Sequence, residues 1–551
     1  MFLMTLSLSV SDVAGQSIAK KTETQFKKLQ AKGAIWIPDN GDGTYCNPII
    51  AADYSDPDVI RVGNNYYMTS SSFSNFPGLQ ILHSNDLVNW KIIGAAVNKY
   101  PNKLFNSPQH GNGIWAPSIR YHNGEFYIFF GDPDAGIFMT KSKNPAGEWE
   151  PLLLIQEAKG WIDPCPLWDD DGNAYLVHAW ANSRSGIKSI LTLNKMSPDG
   201  KKILDKGVII FDGRKNHPTI EGPKIYKRNG YYYIFAPAGG VKPGWQTVLR
   251  SKNIYGHYED KIVLEQGSTK VNGPHQGAWI QTQSGEDWFI HFQDRYAYGR
   301  IVHLEPMKWE NHWPVMGKDF DKNGIGEPVA KFRKPSVGKN YPIQVPQTND
   351  EFDSMSLGLQ WQWLANSNSK WYSLKERKGW LRLFSLSTED KNFWSLPNLL
   401  LQKFPGVQFS AITKLELSGN AVGEKAGLII FGMDYSYICL EKTEAGYKIL
   451  QVVCKNADKR NNEEIISSTE TKSSKIYLKV DVRPENNTDL IPKVLCSFSY
   501  SEDGKTYQPV GNEFTAKEGK WVGSKVGIFA VAPNRNTKTG FADFDWFRFT
   551  K

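Results

Sequence analysis

Three carboxylates, an indole and an imidazole stand near the start of successive copies of one repeated phrase: Asp56, Trp115, Asp163, Glu221 and His275. Carboxylates that share a pocket can divide acid and base work, one ionised to take a proton from water and one protonated to give a proton up. Unpaired buried charge is costly, so a ring stabilised by burial alone would put Val, Ile or Gly at these positions. An Asp before proline often only caps or turns the chain, which is the better reading for a single Asp-Pro but not for a set in phase.

The phrase that carries these residues is a charged or ring-bearing residue beside a proline, a short apolar strand, a polar turn and an aromatic-rich second strand. Its five copies begin Asp56-Pro57-Asp58-Val59-Ile60, Trp115-Ala116-Pro117-Ser118-Ile119, Asp163-Pro164-Cys165-Pro166-Leu167, Glu221-Gly222-Pro223-Lys224-Ile225 and Pro274-His275-Gln276-Gly277-Ala278, spaced 48 to 59 residues apart. Turn signals follow each, among them Asn123-Gly124, Asp171-Gly172-Asn173 and Asn229-Gly230, which supply the positive φ of two-residue hairpins. A repeat of roughly 50 residues holding several strands is the mark of a β-propeller rather than a helical solenoid. The sequence therefore predicts five blades, with the first strand of each lining a channel and the five chemical side chains meeting at one mouth of it.

At 551 residues the chain is long enough for two cores. With 19 Trp, 24 Tyr and 28 Phe it has rings to spare for flat apolar platforms, although propellers and sandwiches are aromatic-rich in any case. The net charge of +8 is scattered, with no basic stripe and no nucleic-acid motif, which argues against a nucleic-acid partner. Cys46, Cys165, Cys439, Cys454 and Cys496 have no metal-ligand spacing; a disulfide within the last three is open, but no framework is implied.

Residues 1–17 read as a truncated signal segment, apolar from Met1 to Val10 with small residues near Ala14-Gly15, so a periplasmic or secreted location is expected. No later stretch reaches the roughly 20 apolar residues of a membrane span. The blade rhythm stops around Lys331-Phe332-Arg333-Lys334-Pro335, which bounds a propeller over 18–335 and a linker over 336–349. From 350 to 551, alternating strands such as Lys475-Ile476-Tyr477-Leu478-Lys479-Val480 predict an antiparallel sandwich with no second catalytic constellation. Asp319-Phe320-Asp321-Lys322-Asn323-Gly324 begins like a calcium loop but meets Ala330 where the closing Glu belongs, and Asp169-Asp170-Asp171-Gly172 falls at a hairpin; both read as turns.

Asn47-Pro48, Asp53-Tyr54-Ser55-Asp56-Pro57-Asp58-Val59, Tyr67-Met68-Thr69-Ser70-Ser71-Ser72-Phe73 and His83-Ser84-Asn85-Asp86-Leu87-Val88-Asn89-Trp90 resemble the opening of glycoside hydrolase family 43. So do Trp161-Ile162-Asp163-Pro164, Glu221-Gly222-Pro223, Gly273-Pro274-His275-Gln276-Gly277 and Tyr298-Gly299-Arg300. The C-terminal half resembles the concanavalin-like β-sandwich of the β-xylosidase type. The resemblance implies an inverting glycosidase, with Asp56 as general base, Glu221 as general acid and Asp163 as the neighbour that raises the Glu221 pKa and holds it in place. It also implies that Arg300 contacts sugar hydroxyls and that His275 sits beside a channel calcium or water. An ordinary ion pair and a channel histidine remain the competing readings of these two. Trp115 and Phe73 would wall the terminal-sugar site, or else be core rings. No organic cofactor is implied.

The expected activity is exo-acting release of β-D-xylose or α-L-arabinofuranose from hemicellulose-derived oligosaccharides or polysaccharides. Approach segments 107–113 and 238–244 are the expected seat of sugar preference. Two alternatives stand beside it. A retaining fructan hydrolase would carry Arg-Asp-Pro in the third blade, where Ile162 precedes Asp163-Pro164 here. A non-catalytic carbohydrate-binding propeller would have no need of all three carboxylates.

Overall fold

The computed structural model describes residues 33–387, 391–486, 492–533 and 539–551. The expected signal segment, 1–17, lies outside them. Five four-stranded antiparallel sheets follow one another without interleaving, and their first strands are Asp58–Val62, Trp115–His122, Trp161–Trp168, Lys224–Arg228 and His275–Gln281. First strands of neighbouring blades touch, so they line the centre of a five-bladed propeller. The hairpins work as their sequences require: Asn123 and Gly124 have φ of 48° and 83°, Asn229 and Gly230 of 49° and 77°, the double positive φ that matches strand twist.

Blades hold together because their middle strands are apolar on both faces. Glu125–Asp132 is buried at seven successive positions, so one face packs forward and the other back. Phe129 meets Met139 and Leu176 on one side, while Ile128 and Phe130 meet Ile81 and Ile119 on the other. Val177 with Ile234, Tyr233 with Phe289 and Val59 with Ile290 anchor the three remaining blade interfaces. No blade borrows a strand from the far end of the ring. Closure comes instead from a two-stranded clasp, Thr44–Cys46 against Lys331–Arg333, with Tyr45 buried edge-to-face against Trp288 at 6.3 Å.

Beyond the clasp the chain runs along the first blade, where Gln344 and Gln347 side chains bond to the backbone of Asn89 and Ile92. An eight-stranded and a seven-stranded sheet then face each other as a sandwich. Among the described residues its strand pairs are antiparallel but for one, Leu386–Ser387 beside Val531 and Ala532. The sandwich core takes in Ala297 and Tyr298 of the propeller, so the two units share apolar contacts. All five cysteines are free, so the disulfide left open for the sandwich does not form. Among the described residues no helix is long and apolar enough to cross a membrane.

Candidate active site

A backbone kink recurs at the mouth of every first strand. Asp56, Ala116, Asp163, Gly222 and Gln276 have φ of 54°, 30°, 57°, 59° and 34°. Four of these are not glycine, and each left-handed residue costs about 1–2 kcal/mol. The pairing slips at the same place, between Trp115 and Ser118, Ile162 and Cys165, and His275 and Gly277. The expectation of a single phase is therefore corrected to two registers. Asp56 and Asp163 stand on the kink, while Trp115, Glu221 and His275 stand one residue before it. A bulge breaks strand alternation, so neighbouring positions can present side chains to the same mouth.

Each carboxylate has its own set of close partners. Ser55 and Ser71 hydroxyls each donate to Asp56 Oδ2 at 2.6 Å, and Arg300 Nη1 lies 3.6 Å from the same oxygen while donating to Ser55 Oγ at 2.6 Å. Asp56 Oδ1 accepts no hydrogen bond from the described residues. Gly222 N–H donates to Asp163 Oδ2 at 2.8 Å, which ties the third blade to the residue after Glu221. Glu221 Oε1 lies 3.4 Å from His275 Nε2. No described residue donates a hydrogen bond to the Glu221 carboxyl, whose side chain keeps 31% exposure while Asp56 and Asp163 are 6% and 4% exposed as residues.

Burial, then the charge of Asp163, then that of Asp56 push the Glu221 carboxyl up to about 8, against the pull of Arg300. Burial and Asp56 push Asp163 to about 7, but the Gly222 N–H, Lys224 and Arg300 favour its charged form. Of the two, Glu221 is the firmer holder of a proton, since only Arg300 stabilises its anion. Burial, with Arg300 and His291 nearby, lowers His275 to about 3, so the imidazole is neutral.

Both ring nitrogens of His275 are buried without a hydrogen-bond partner among the described residues. Calcium takes six to eight oxygen ligands, whereas no three His, Cys, Asp or Glu side chains converge to hold a metal among the described residues. The residues do not build a direct calcium cage, and an ion here would be held chiefly by water.

Trp115 is partly exposed, its indole N–H donating to Gly111 O at 2.9 Å. Phe73, 3% exposed, stands behind it edge-to-face at 6.1 Å, a backing ring more than an open wall. The sandwich supplies a residue that sequence reading missed. Trp521, 52% exposed, lies edge-on to Trp115 at 6.0 Å, with the Arg300 guanidinium 5.8 Å from its ring centre. Arg300, Tyr296, Lys242 and Trp521 line a recess of about 320 Å3, within the usual range for ligand pockets; Asp56, Asp163 and Glu221 are not among its lining residues, and Arg300, 3.6 Å from Asp56, joins it to them. Of the approach segments, 238–244 contributes Val241 and Lys242 to the lining, while 107–113 only backs it through Gly111, which abuts Lys520 and Trp521. Ser55, Ser71 and Asp53, which binds the Arg300 backbone N–H at 2.8 Å, were also missed as site residues, although all lie in the quoted motifs.

A family model described as glycosyl hydrolases family 43 matches residues 45–314, and one described as the beta xylosidase C-terminal concanavalin A-like domain matches 349–550. A putative beta-xylosidase of Xylanibacter ruminicola is 41% identical over 95% of this chain and 93% of its own. A non-reducing end alpha-L-arabinofuranosidase of Bacteroides ovatus is 28% identical over 92% and 94%. The crystal structure of a mutant family 43 protein from Bacillus licheniformis superposes with a TM-score of 0.78 at 30% identity, covering 92% of this chain and 99% of that one.

Proposed function

This chain belongs to glycosyl hydrolase family 43 and is a glycosidase, and from that premise we propose an exo-acting, inverting enzyme that releases terminal β-D-xylose or α-L-arabinofuranose, with Asp56 as general base and Glu221 as general acid. One observation carries the assignment of roles. Glu221 lies beside two other carboxylates and is raised to about 8, so it holds a proton at neutral pH.

Asp56 Oδ2 is occupied by two serine hydroxyls, which leaves Oδ1 to take a proton from water. Glu221 gives its proton to the leaving sugar oxygen, and Asp163 holds that proton on Glu221 through its charge. Arg300, stacked over Phe292 at 5.0 Å, offers a fixed fork of donors to sugar hydroxyls. Trp115 and Trp521 supply apolar walls. Closure of one side by Trp521 favours a chain end over an internal sugar.

The curated relatives include both a beta-xylosidase and an arabinofuranosidase by name, so both sugars stay within the proposal. The test is release of p-nitrophenol from the β-D-xylopyranoside and the α-L-arabinofuranoside by wild type, Glu221→Gln and Asp56→Asn. Wild-type turnover that Asp56→Asn abolishes, and that Glu221→Gln lowers far more on an unactivated xylo-oligosaccharide than on these activated aryl glycosides, is the expected result. The first-formed anomer, followed by NMR, must be inverted; a retained anomer overturns the base role of Asp56. A separation of about 6.5–9.5 Å between the two carboxyls, against about 5–5.5 Å for retention, is the matching structural check.

A further inference from the structure

Resting on that reading, we propose that Asp53 is a positioning residue through which the sandwich and the propeller assemble one sugar recess. Its two carboxylate oxygens face opposite ways in the architecture. Oδ1 accepts the backbone N–H of Arg300 at 2.8 Å, and Oδ2 accepts the backbone N–H of Gly523 at 3.0 Å, two residues past Trp521. One buried side chain, 4% exposed, thus fixes a propeller residue and a sandwich loop that lies 470 positions from Asp53 in sequence.

The neighbourhood is built for this contact. A Cβ on Gly299 would meet Asp53 Cβ at 2.5 Å, and a Cβ on Gly523 would meet the Gly299 nitrogen at 2.6 Å. Only two bare glycine backbones let the loop come so close. Ser524 N–H continues the seam by donating to Ala297 O at 2.8 Å. Lys525 lies buried and Lys403 partly buried near Asp53, whose charge favours the charged form of both. Removing the carboxylate therefore strips two N–H groups and two lysines of one shared partner. Asp53 is placed to act through others: it sets Arg300 and Trp521 at their 5.8 Å approach.

The experiment compares Asp53→Ala, Asp53→Asn, Gly523→Ala, Trp521→Ala and the double variant Asp53→Ala/Trp521→Ala by kinetics on the two aryl glycosides and by amide hydrogen exchange. Asp53→Ala should lower kcat/KM at least about 10-fold, and the double variant should fall no more than about 2-fold below the worse single, because coupled residues are not additive. Asp53→Asn, with one acceptor oxygen left, should recover part of the loss. Exchange at the Arg300 and Gly523 amides should quicken in Asp53→Ala while the sandwich core stays protected. Gly523→Ala breaks the same contact from the sandwich side and should reproduce the kinetic loss if Asp53→Ala does not fold. Fully additive losses, or unchanged exchange at both amides, would overturn the proposal. Absence of wild-type turnover would instead sink the reading of the function, and the exchange measurements would still decide the role of Asp53.

Discussion

The fifth blade contributes to two buried histidine–glutamate contacts of nearly equal length, His275 with Glu221 at 3.4 Å and His291 with Glu305 at 3.3 Å. Their surroundings differ. Glu305 is fully buried and also receives the Val329 N–H at 2.7 Å and the Asn47 amide at 3.3 Å, so its oxygens are satisfied. Glu221 receives no hydrogen bond from the described residues, keeps a third of its side chain open and faces the charges of Asp56 and Asp163. A histidine beside a carboxylate is thus no sign of chemistry by itself. Burial raises both carboxyls, so a raised pKa does not separate them either; what marks Glu221 is an unsatisfied, partly open carboxyl among like charges.

Substitution breaks the comparison most sharply. Glu221→Gln should cut kcat on an unactivated xylo-oligosaccharide by about 10²–10⁴-fold, the usual worth of a positioned general acid. Glu305→Gln should leave kcat within a few-fold and destabilise the fold by about 1–3 kcal/mol, as a buried hydrogen-bonded group does when its partners are disturbed. Steady-state kinetics and thermal melts on the two variants decide it, and equal kinetic losses would erase the distinction.

Next comes the fork proposed to contact the sugar. Arg300→Lys keeps the charge but loses the planar donors, so kcat/KM should fall about 10–100-fold, matching about 1.5–3 kcal/mol for hydrogen bonds to a charged group. Titration then sharpens the contrast. Glu221 is raised from 4.5 to about 8 in the native state, so between those values the native protein holds a proton that the unfolded chain has released. Stability contributed by this group is lost as pH rises through that window. The melting temperature of Glu221→Gln relative to wild type should therefore climb from pH 5 to pH 8, and wild-type kcat/KM should decline on the alkaline side near the Glu221 value. A flat difference would mean that Glu221 is ionised throughout. The smallest effect is expected at Phe73→Leu, where losing an edge-to-face partner of Trp115 worth about 0.5–1.5 kcal/mol should raise KM about 2–10-fold.

Much of this was legible because it is local and periodic. The prolines, Asn-Gly turns and double-faced apolar strands mark five blades, and the sandwich strands alternate in the open. The single-phase expectation missed the offset between Asp56 and Glu221, although the prolines carry it: Pro57, Pro117, Pro164 and Pro223 align on Asp56, Ala116, Asp163 and Gly222 rather than on Trp115 and Glu221. Trp521 was not legible. It sits in a loop with no motif of its own, and only three-dimensional docking brings it to Arg300. Asp53 was quoted within the resemblance, but its role depends on Gly523, which nothing local points to.

The clasp between Thr44–Cys46 and Lys331–Arg333 also sets an order of events during synthesis. Each blade is complete as soon as its own stretch leaves the ribosome, since none waits for a distant strand. The ring itself cannot shut until residue 333 emerges, about 15–60 s after residue 44 at about 5–20 residues per second. Trp521 comes later still. A nascent chain therefore carries the two residues proposed as acid and base long before Trp521, which the sandwich sets beside Arg300, has been made.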